Sequence, residues 1–75
     1  MATLPSITFT QLCKVVEKMG FRKTRQKGSH IRYVHADGRK TTIPNHGCHD
    51  VPKGLLSKII KQDLDISVED FIHYD

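Results

Sequence analysis

Residues 21–44 read FRKTRQKGSHIRYVHADGRKTTIP, a stretch that alternates short strand-forming segments with turn-forming residues. The segments are rich in β-branched and aromatic residues and lie at 21–27, 30–35 and 40–44. They are separated by residues 28–29 (GS) and 36–38 (ADG), which are typical of tight turns between antiparallel strands. The stretch therefore predicts a three-stranded antiparallel meander.

Side chains alternate between the two faces of a strand, so the middle segment can be divided into two sets. The more apolar set, which we expect to face the helices, is Ile31, Tyr33 and His35. The other set is His30, Arg32 and Val34. This division predicts that His30 points to the open face of the sheet or to its edge.

A helix beginning near Phe9 is predicted before the meander. Residues 8–11 (TFTQ) match a capping box, with Ile7 and Leu12 placed to form a hydrophobic staple. Apolar residues then recur at helical spacing, at Phe9, Leu12, Val15, Val16 and Met19. Gly20 can adopt the left-handed conformation that ends a helix.

A second helix is predicted after the loop at 45–49. Asp50 is suited to the entry of this helix, and Pro52 would lie in its first turn. Its apolar stripe is Leu55, Leu56, Ile59 and Ile60. Residues 67–70 (SVED) repeat the capping signal, so a short acidic helix is predicted at the end. This order predicts an α+β, double-stranded-RNA-binding-domain-like (dsRBD-like) α-β-β-β-α sandwich, with two helices covering one face of the sheet.

The 75 residues make one small domain, 1–75, and its charge is divided unevenly along the chain. All 12 Lys and Arg lie within residues 1–61, opposed there by three carboxylates, which leaves +9. Residues 62–75 hold five carboxylates and no Lys or Arg. A basic body favours polyanions through counterion release, although most surface cations only aid solvation.

The two cysteines, Cys13 and Cys48, fit neither a disulfide-rich secreted scaffold nor a CxxC metal knuckle. The chain also has no secretory signal pattern and no apolar segment near the ~20 residues of a membrane span. We therefore expect a soluble, reduced, cytoplasmic protein without a membrane partner.

Ordered short motifs run along nearly the whole chain: Gly20-Phe21, Gly28-Ser29-His30, Asp37-Gly38, Thr42-Ile43-Pro44 with His46, Lys53-Gly54-Leu55 and Ile59-Ile60-Lys61-Gln62. Together they resemble the HicA toxin family, also called YcfA-like. The resemblance implies an mRNA interferase of a prokaryotic type II toxin–antitoxin pair. It also implies a dsRBD-like fold, one catalytic histidine at His30 and neutralisation by a HicB-type antitoxin protein.

RNA cleavage by this chain can also be argued from its residues. RNA carries its own nucleophile, the 2′-hydroxyl, so cleavage needs a base, an acid and donors for the phosphate. Histidine serves as either acid or base near neutral pH, and His30 is the candidate catalytic residue. The candidate RNA-binding residues are Lys23, Arg25, Lys27, Gly28, Ser29, Arg32, Lys40 and His46. This chemistry requires neither a metal nor a small-molecule cofactor.

Metal chemistry has little support in the sequence. Residues 18–49 contain one carboxylate, Asp37, in a predicted turn, whereas Mg²⁺ sites need several oxygen ligands. His46, Cys48 and His49 suggest zinc, with Cys13 or His35 as the fourth ligand, but their spacing lacks a CxxC or HxxxH pair, and we favour chance clustering.

The remaining polar residues of interest have simpler interpretations. Ser29 and His30 do not form a nucleophile–base pair, because successive strand side chains point to opposite faces. His46 could be a second acid–base group, a phosphate contact or a loop residue bonded to backbone, and we favour the last. His35 is predicted to be buried and hydrogen-bonded. The acidic terminal helix receives no role beyond a solvated face.

Two functions from different classes remain open. The preferred one is a ribosome-independent endoribonuclease that cleaves mRNA through His30. The alternative is a non-catalytic RNA- or DNA-binding module of the same fold, in which His30 is a contact residue. A degenerate toxin retained for partner binding is a third possibility.

Overall fold

The computed structural model describes residues 4–74 and has the predicted order of elements. The helices are α1 (Phe9–Lys18), α2 (Lys53–Lys58) and α3 (Val68–His73), and a π-helical segment, Ile59–Asp63, follows α2. The strands are β1 (Arg22–Lys27), β2 (His30–Val34) and β3 (Lys40–Pro44). They form one antiparallel sheet in the order β1-β2-β3. The dsRBD-like α+β fold is therefore confirmed.

The beginning of α1 follows its sequence signals closely. The backbone N–H of Thr8 donates to Oε1 of Gln11 at 2.8 Å, and the N–H of Gln11 donates to the Thr8 hydroxyl at 3.2 Å. This is the predicted capping box. The N–H groups of Phe9 and Thr10 donate to the carbonyls of His49 and Gly47, each at 3.1 Å. The loop after β3 is therefore fastened to the start of α1.

The predicted start of the second helix is wrong. Pro52 is extended at ψ 138° and precedes the helix, while Asp50 pairs with Thr8 in an isolated antiparallel bridge. The reason lies in Val51, which is buried and donates its N–H to the carbonyl of Ile7 at 2.9 Å. This tertiary contact keeps the chain extended until Lys53.

After α2 the chain forms a π-helix, whose turns are wider than those of the α-helix predicted there. The N–H of Leu64 donates to the carbonyl of Ile59 at 2.8 Å, which is a five-residue step. Ile59, Ile60 and Leu64 are all buried, so the π-helical segment supplies three side chains to the core. The last helix begins as predicted, because the Ser67 hydroxyl accepts from the N–H of Asp70 at 3.1 Å and Phe71 is buried below it.

The core lies between the helices and one face of the sheet. Ile31, Tyr33 and Ile43 of the sheet are buried there with Leu12 and Val16 of α1. Tyr33 satisfies its hydroxyl by donating to a carboxylate oxygen of Glu17 at 2.8 Å. The predicted helix-facing position of Ile31 and Tyr33 is therefore confirmed. Within residues 4–74, no helix has the length and apolar character needed to cross a membrane.

Stability at alkaline pH is expected to depend on Tyr33. Burial, reinforced by the hydrogen bond to Glu17, raises the pKa of Tyr33 far above its usual range. The neutral phenol therefore stabilises the fold fully below the unfolded-state pKa of about 10, and this stabilisation is lost as the pH rises further. We expect Tyr33→Phe to flatten the decline in melting temperature above about pH 10.

The control for this experiment is Tyr74→Phe, since Tyr74 is 39 % exposed. Melting curves followed by circular dichroism between pH 8 and 11 would be compared for both variants. A slope for Tyr33→Phe equal to that of the wild type would contradict the assignment of alkaline sensitivity to Tyr33.

Candidate nucleic-acid interface

The open face of the sheet, on the side away from the core, carries three cross-strand rows of side chains. Residues opposite one another in antiparallel strands point to the same face. The pairing register gives the rows Lys27–His30–Pro44, Arg25–Arg32–Thr42 and Arg22–Val34–Lys40. The sheet thus places one histidine, five cations and one hydroxyl on a single surface.

His30 begins β2 and is exposed, in line with its predicted position on the open face. The preceding turn depends on Gly28, whose φ of +59° is left-handed. The carbonyl of Ser29 accepts from the N–H of Asn45 at 2.7 Å, which joins this turn to the end of β3. His30 lies between Lys27 and Pro44 in the register, so a cation shares its row.

The electrostatic field of the open face is positive. Its cations are Arg22, Arg25, Lys27, Arg32 and Lys40. None of the three strands contains Asp or Glu. Asp63 is the carboxylate at the β3 edge, where it accepts from the Thr41 hydroxyl at 2.8 Å and lines a recess of about 250 Å³ with Arg32 and Lys40. The central part of the face is suited to an anionic backbone.

A β-bulge in β1 changes which cations reach this face. Thr24 is the extra residue between Lys23 and Arg25, and its hydroxyl donates to the carbonyl of Arg32 at 3.3 Å. Lys23 consequently lies opposite Tyr33, on the helix-facing side, and not in a place on the open face beside the other cations predicted to bind RNA. Arg22 takes that place instead and was missed, because strict alternation has no means of predicting a bulge.

His46 lies in the loop between β3 and α2, which is hydrogen-bonded to the start of α1. Its ring packs edge-on against Phe9, with the ring centroids 5.0 Å apart and the planes at 90°. Its carbonyl accepts from the N–H of His49 at 3.4 Å, and Asn45 Oδ1 accepts from the N–H of Gly47 at 2.9 Å. These contacts favour the structural role over a second acid–base role.

His35 has a structural role at the opposite end of β2. Its Nε2 donates to the carbonyl of Met19 at 3.1 Å, and its Nδ1 accepts from the N–H of Asp37 at 3.1 Å. The ring also packs against Phe21 at 5.1 Å between centroids. The backbone N–H of Arg39 lowers the pKa of the Asp37 carboxyl, helped by the Arg39 side chain. His35 is half-buried and hydrogen-bonded, close to its prediction.

The cysteines and histidines that suggested zinc are held in different places. Cys13 is buried in the core, whereas Cys48 is exposed in the loop. Among residues 4–74, no three His, Cys, Asp or Glu side chains are grouped so that they could hold a metal ion. His46, Cys48 and His49 therefore do not assemble with Cys13 or His35.

Comparison with known proteins places this chain in a family. The sequence model described as the HicA toxin of bacterial toxin–antitoxin systems matches residues 9–63. That range runs from the first residue of α1 to the last residue of the π-helical segment, and it includes the whole sheet. A comparison with curated proteins found no match. The chain belongs to the HicA family of bacterial toxin–antitoxin toxins.

Proposed function

We propose that this toxin is a metal-independent, ribosome-independent endoribonuclease that cleaves mRNA in the cytoplasm through His30. The observation that carries the proposal is the exposed imidazole in a row with Lys27, on a face with five cations and no strand carboxylate. The proposal uses no cofactor, because the RNA supplies its own nucleophile.

The reaction can be written with one histidine. The 2′-oxygen attacks the adjacent phosphorus as its proton passes to the His30 imidazole, and the bond from phosphorus to the 5′-oxygen breaks. The imidazolium can then return a proton to the leaving 5′-oxygen, which gives a 2′,3′-cyclic phosphate and a 5′-hydroxyl. Lys27, Arg25 and Arg32 stabilise the extra negative charge on the phosphorane oxygens. The backbone N–H groups of Gly28 and Ser29, in the turn between β1 and β2, are proposed as phosphate donors.

The experiment that tests this function uses purified protein, a defined mRNA, no ribosomes and excess EDTA. Cleavage of the mRNA is expected under these conditions. RNA binding without cleavage would instead support the non-catalytic binding module, because the same cations hold RNA whether or not it is cut. Cleavage only after Mg²⁺ is restored would contradict the metal-independent mechanism.

RNA affinity should depend on salt through the cations of the open face. The logarithm of the affinity for single-stranded RNA falls linearly with the logarithm of the salt concentration, and each phosphate contact contributes about 0.7 to the steepness of this slope. We therefore expect Lys27→Gln and Arg25→Gln each to weaken binding and to reduce the slope by about that amount, as measured by fluorescence anisotropy. Lys18→Gln, an exposed cation on α1, is the control and should leave the slope unchanged.

We further propose that a HicB-type antitoxin neutralises this toxin by covering the open face with an acidic surface. Opposite charges speed association and fix the orientation of two proteins. Co-expression with the neighbouring antitoxin gene product should give a complex in gel filtration that excludes RNA. A stable complex that still binds RNA with full affinity would contradict this mode of neutralisation.

A further inference from the structure

A cavity of about 600 Å³ lies at the end of the open face remote from His30. Its lining residues come from β1, β2 and the two adjoining segments: Gly20, Arg22, Thr24, Val34, His35 and Ala36. Val34, Ala36 and Gly20 provide apolar contact, while the guanidinium of Arg22 provides donors and the hydroxyl oxygen of Thr24 can accept a hydrogen bond. A mainly apolar lining with a few polar groups, in this range of volume, is typical of sites for small molecules.

Two side chains that line the cavity, His35 and Thr24, are held in place by hydrogen bonds. The imidazole of His35 is fixed by hydrogen bonds at both ring nitrogens, to Met19 and to Asp37. Gly20 has φ +103°, and a Cβ there would lie 3.0 Å from Nε2 of His35. Thr24 is held in the bulge by its hydrogen bond to Arg32. A site that needs no ordering on binding loses less entropy than a flexible one.

The cavity and His30 are connected by the positive surface. Val34 and His30 are four residues apart in β2, which corresponds to about 13 Å along the strand. The row between them contains Arg25 and Arg32, and the row of His30 contains Lys27. This distance corresponds to about two nucleotides of an extended single strand. A phosphate chain can therefore lie across these cations with one end at each site.

We propose that this cavity binds one unstacked nucleobase of single-stranded RNA, about two nucleotides from the bond cleaved at His30. The inference rests on the proposed function and adds a second recognition site to it. Base stacking on protein surfaces and donors to base edges are the usual means by which proteins read single strands. The cavity would thus require an intact base at one fixed distance from the cleaved bond.

The test is a coupling experiment on the full chain. A short RNA is prepared as a series in which each nucleotide in turn is abasic, and a second series carries a 2′-deoxy residue at the mapped cleavage site to block cleavage. Ala36→Leu fills the cavity from its rim, and Val34→Leu fills it from the strand. Thr10→Leu, on the exposed side of α1, is the control. Melting curves establish that each variant is folded.

One position, about two nucleotides from the cleaved bond, should be sensitive in the wild type. Loss of that base should reduce affinity for the uncleavable RNA, and kcat/KM for the cleavable RNA, by about 5-fold to 100-fold. Ala36→Leu and Val34→Leu should cause a similar loss on the intact RNA and make the same abasic position nearly silent, because both changes remove one contact. Thr10→Leu should behave as the wild type.

Three results would overturn the base site. The first is an equal loss of affinity at every abasic position. The second is a loss of affinity from the variant and a loss from the abasic position that are independent, so that the two fold-changes multiply. The third is a pair of cavity variants that lose antitoxin binding while their RNA affinity is unchanged. The two readouts separate this inference from the proposed function. If the RNA is cleaved but the effects of the variants and the abasic position are not coupled, the base site is rejected and the ribonuclease is not. If these effects are coupled in the binding series but the parent RNA is not cleaved, the ribonuclease is rejected and the base site is supported.

Discussion

Replacing His30 with alanine is expected to reduce mRNA cleavage by at least about 100-fold, since a positioned acid–base group contributes about 10² to 10⁴ in rate. RNA affinity should change little. The five cations of the open face stay in place, and His30 is an exposed side chain that supports no core contact. Single-turnover cleavage and anisotropy with the same RNA would measure both quantities.

The matched control is His49→Ala. His49 is also an exposed histidine, but it lies in the loop that bonds to the start of α1. Its removal should leave cleavage unchanged, whereas the loss of cleavage in His30→Ala purified in the same way excludes a contaminating ribonuclease as the source of the wild-type activity. Equal cleavage by wild type and His30→Ala would contradict the assigned role of His30.

The second large effect concerns stability. Gly20→Ala is expected to destabilise the fold by roughly 1–3 kcal/mol, because an L residue at φ +103° is strained and its Cβ would lie 3.0 Å from the His35 ring. The clash falls on a ring held between Met19 and Asp37, so it cannot be relieved by a flexible side chain. Urea unfolding at neutral pH would measure the loss.

Gly54→Ala provides a control of opposite sign. Gly54 lies in α2, its φ is not left-handed, and a Cβ there would meet no atom within 4 Å. Alanine should therefore stabilise the helix by about 0.5–1 kcal/mol. If both substitutions changed the unfolding free energy equally, the argument from the close contact between Gly20 and His35 would be wrong.

Local signals in the sequence were sufficient for much of the fold. The pattern of turns in residues 21–44 predicted the meander, and the capping box at Thr8 predicted the first residue of α1. Both features depend on residues within a few positions of one another. Alternation in β2 placed His30 and Tyr33 on opposite faces for the same reason.

The features that were missed depend on distant contacts. Pro52 precedes α2 because Val51 bonds to Ile7 across the molecule, and the π-helical segment brings Leu64 into the core. The bulge at Thr24 places Arg22, and not Lys23, on the open face. The cavity beside Val34 forms where the ends of two strands meet a turn, and no short sequence pattern encodes such a meeting.

The family resemblance supplied what the pattern of residues alone left open. A single histidine at the start of a strand is usually an ordinary surface residue. The match over residues 9–63 confirms the family, and the register then places that histidine among cations on an uncovered face. Family membership and geometry together give His30 its proposed role.

The most direct test of metal-independent cleavage through the RNA's own hydroxyl is an analysis of one RNA in two forms. The purified toxin is incubated in excess EDTA with an RNA of mapped cleavage site, and with the same RNA carrying a single 2′-deoxy residue at that site. We expect cleavage of the first RNA to a 2′,3′-cyclic phosphate and a 5′-hydroxyl, and none of the second RNA at that bond. Cleavage of the deoxy-substituted bond, or products with a 3′-hydroxyl, would contradict this mechanism.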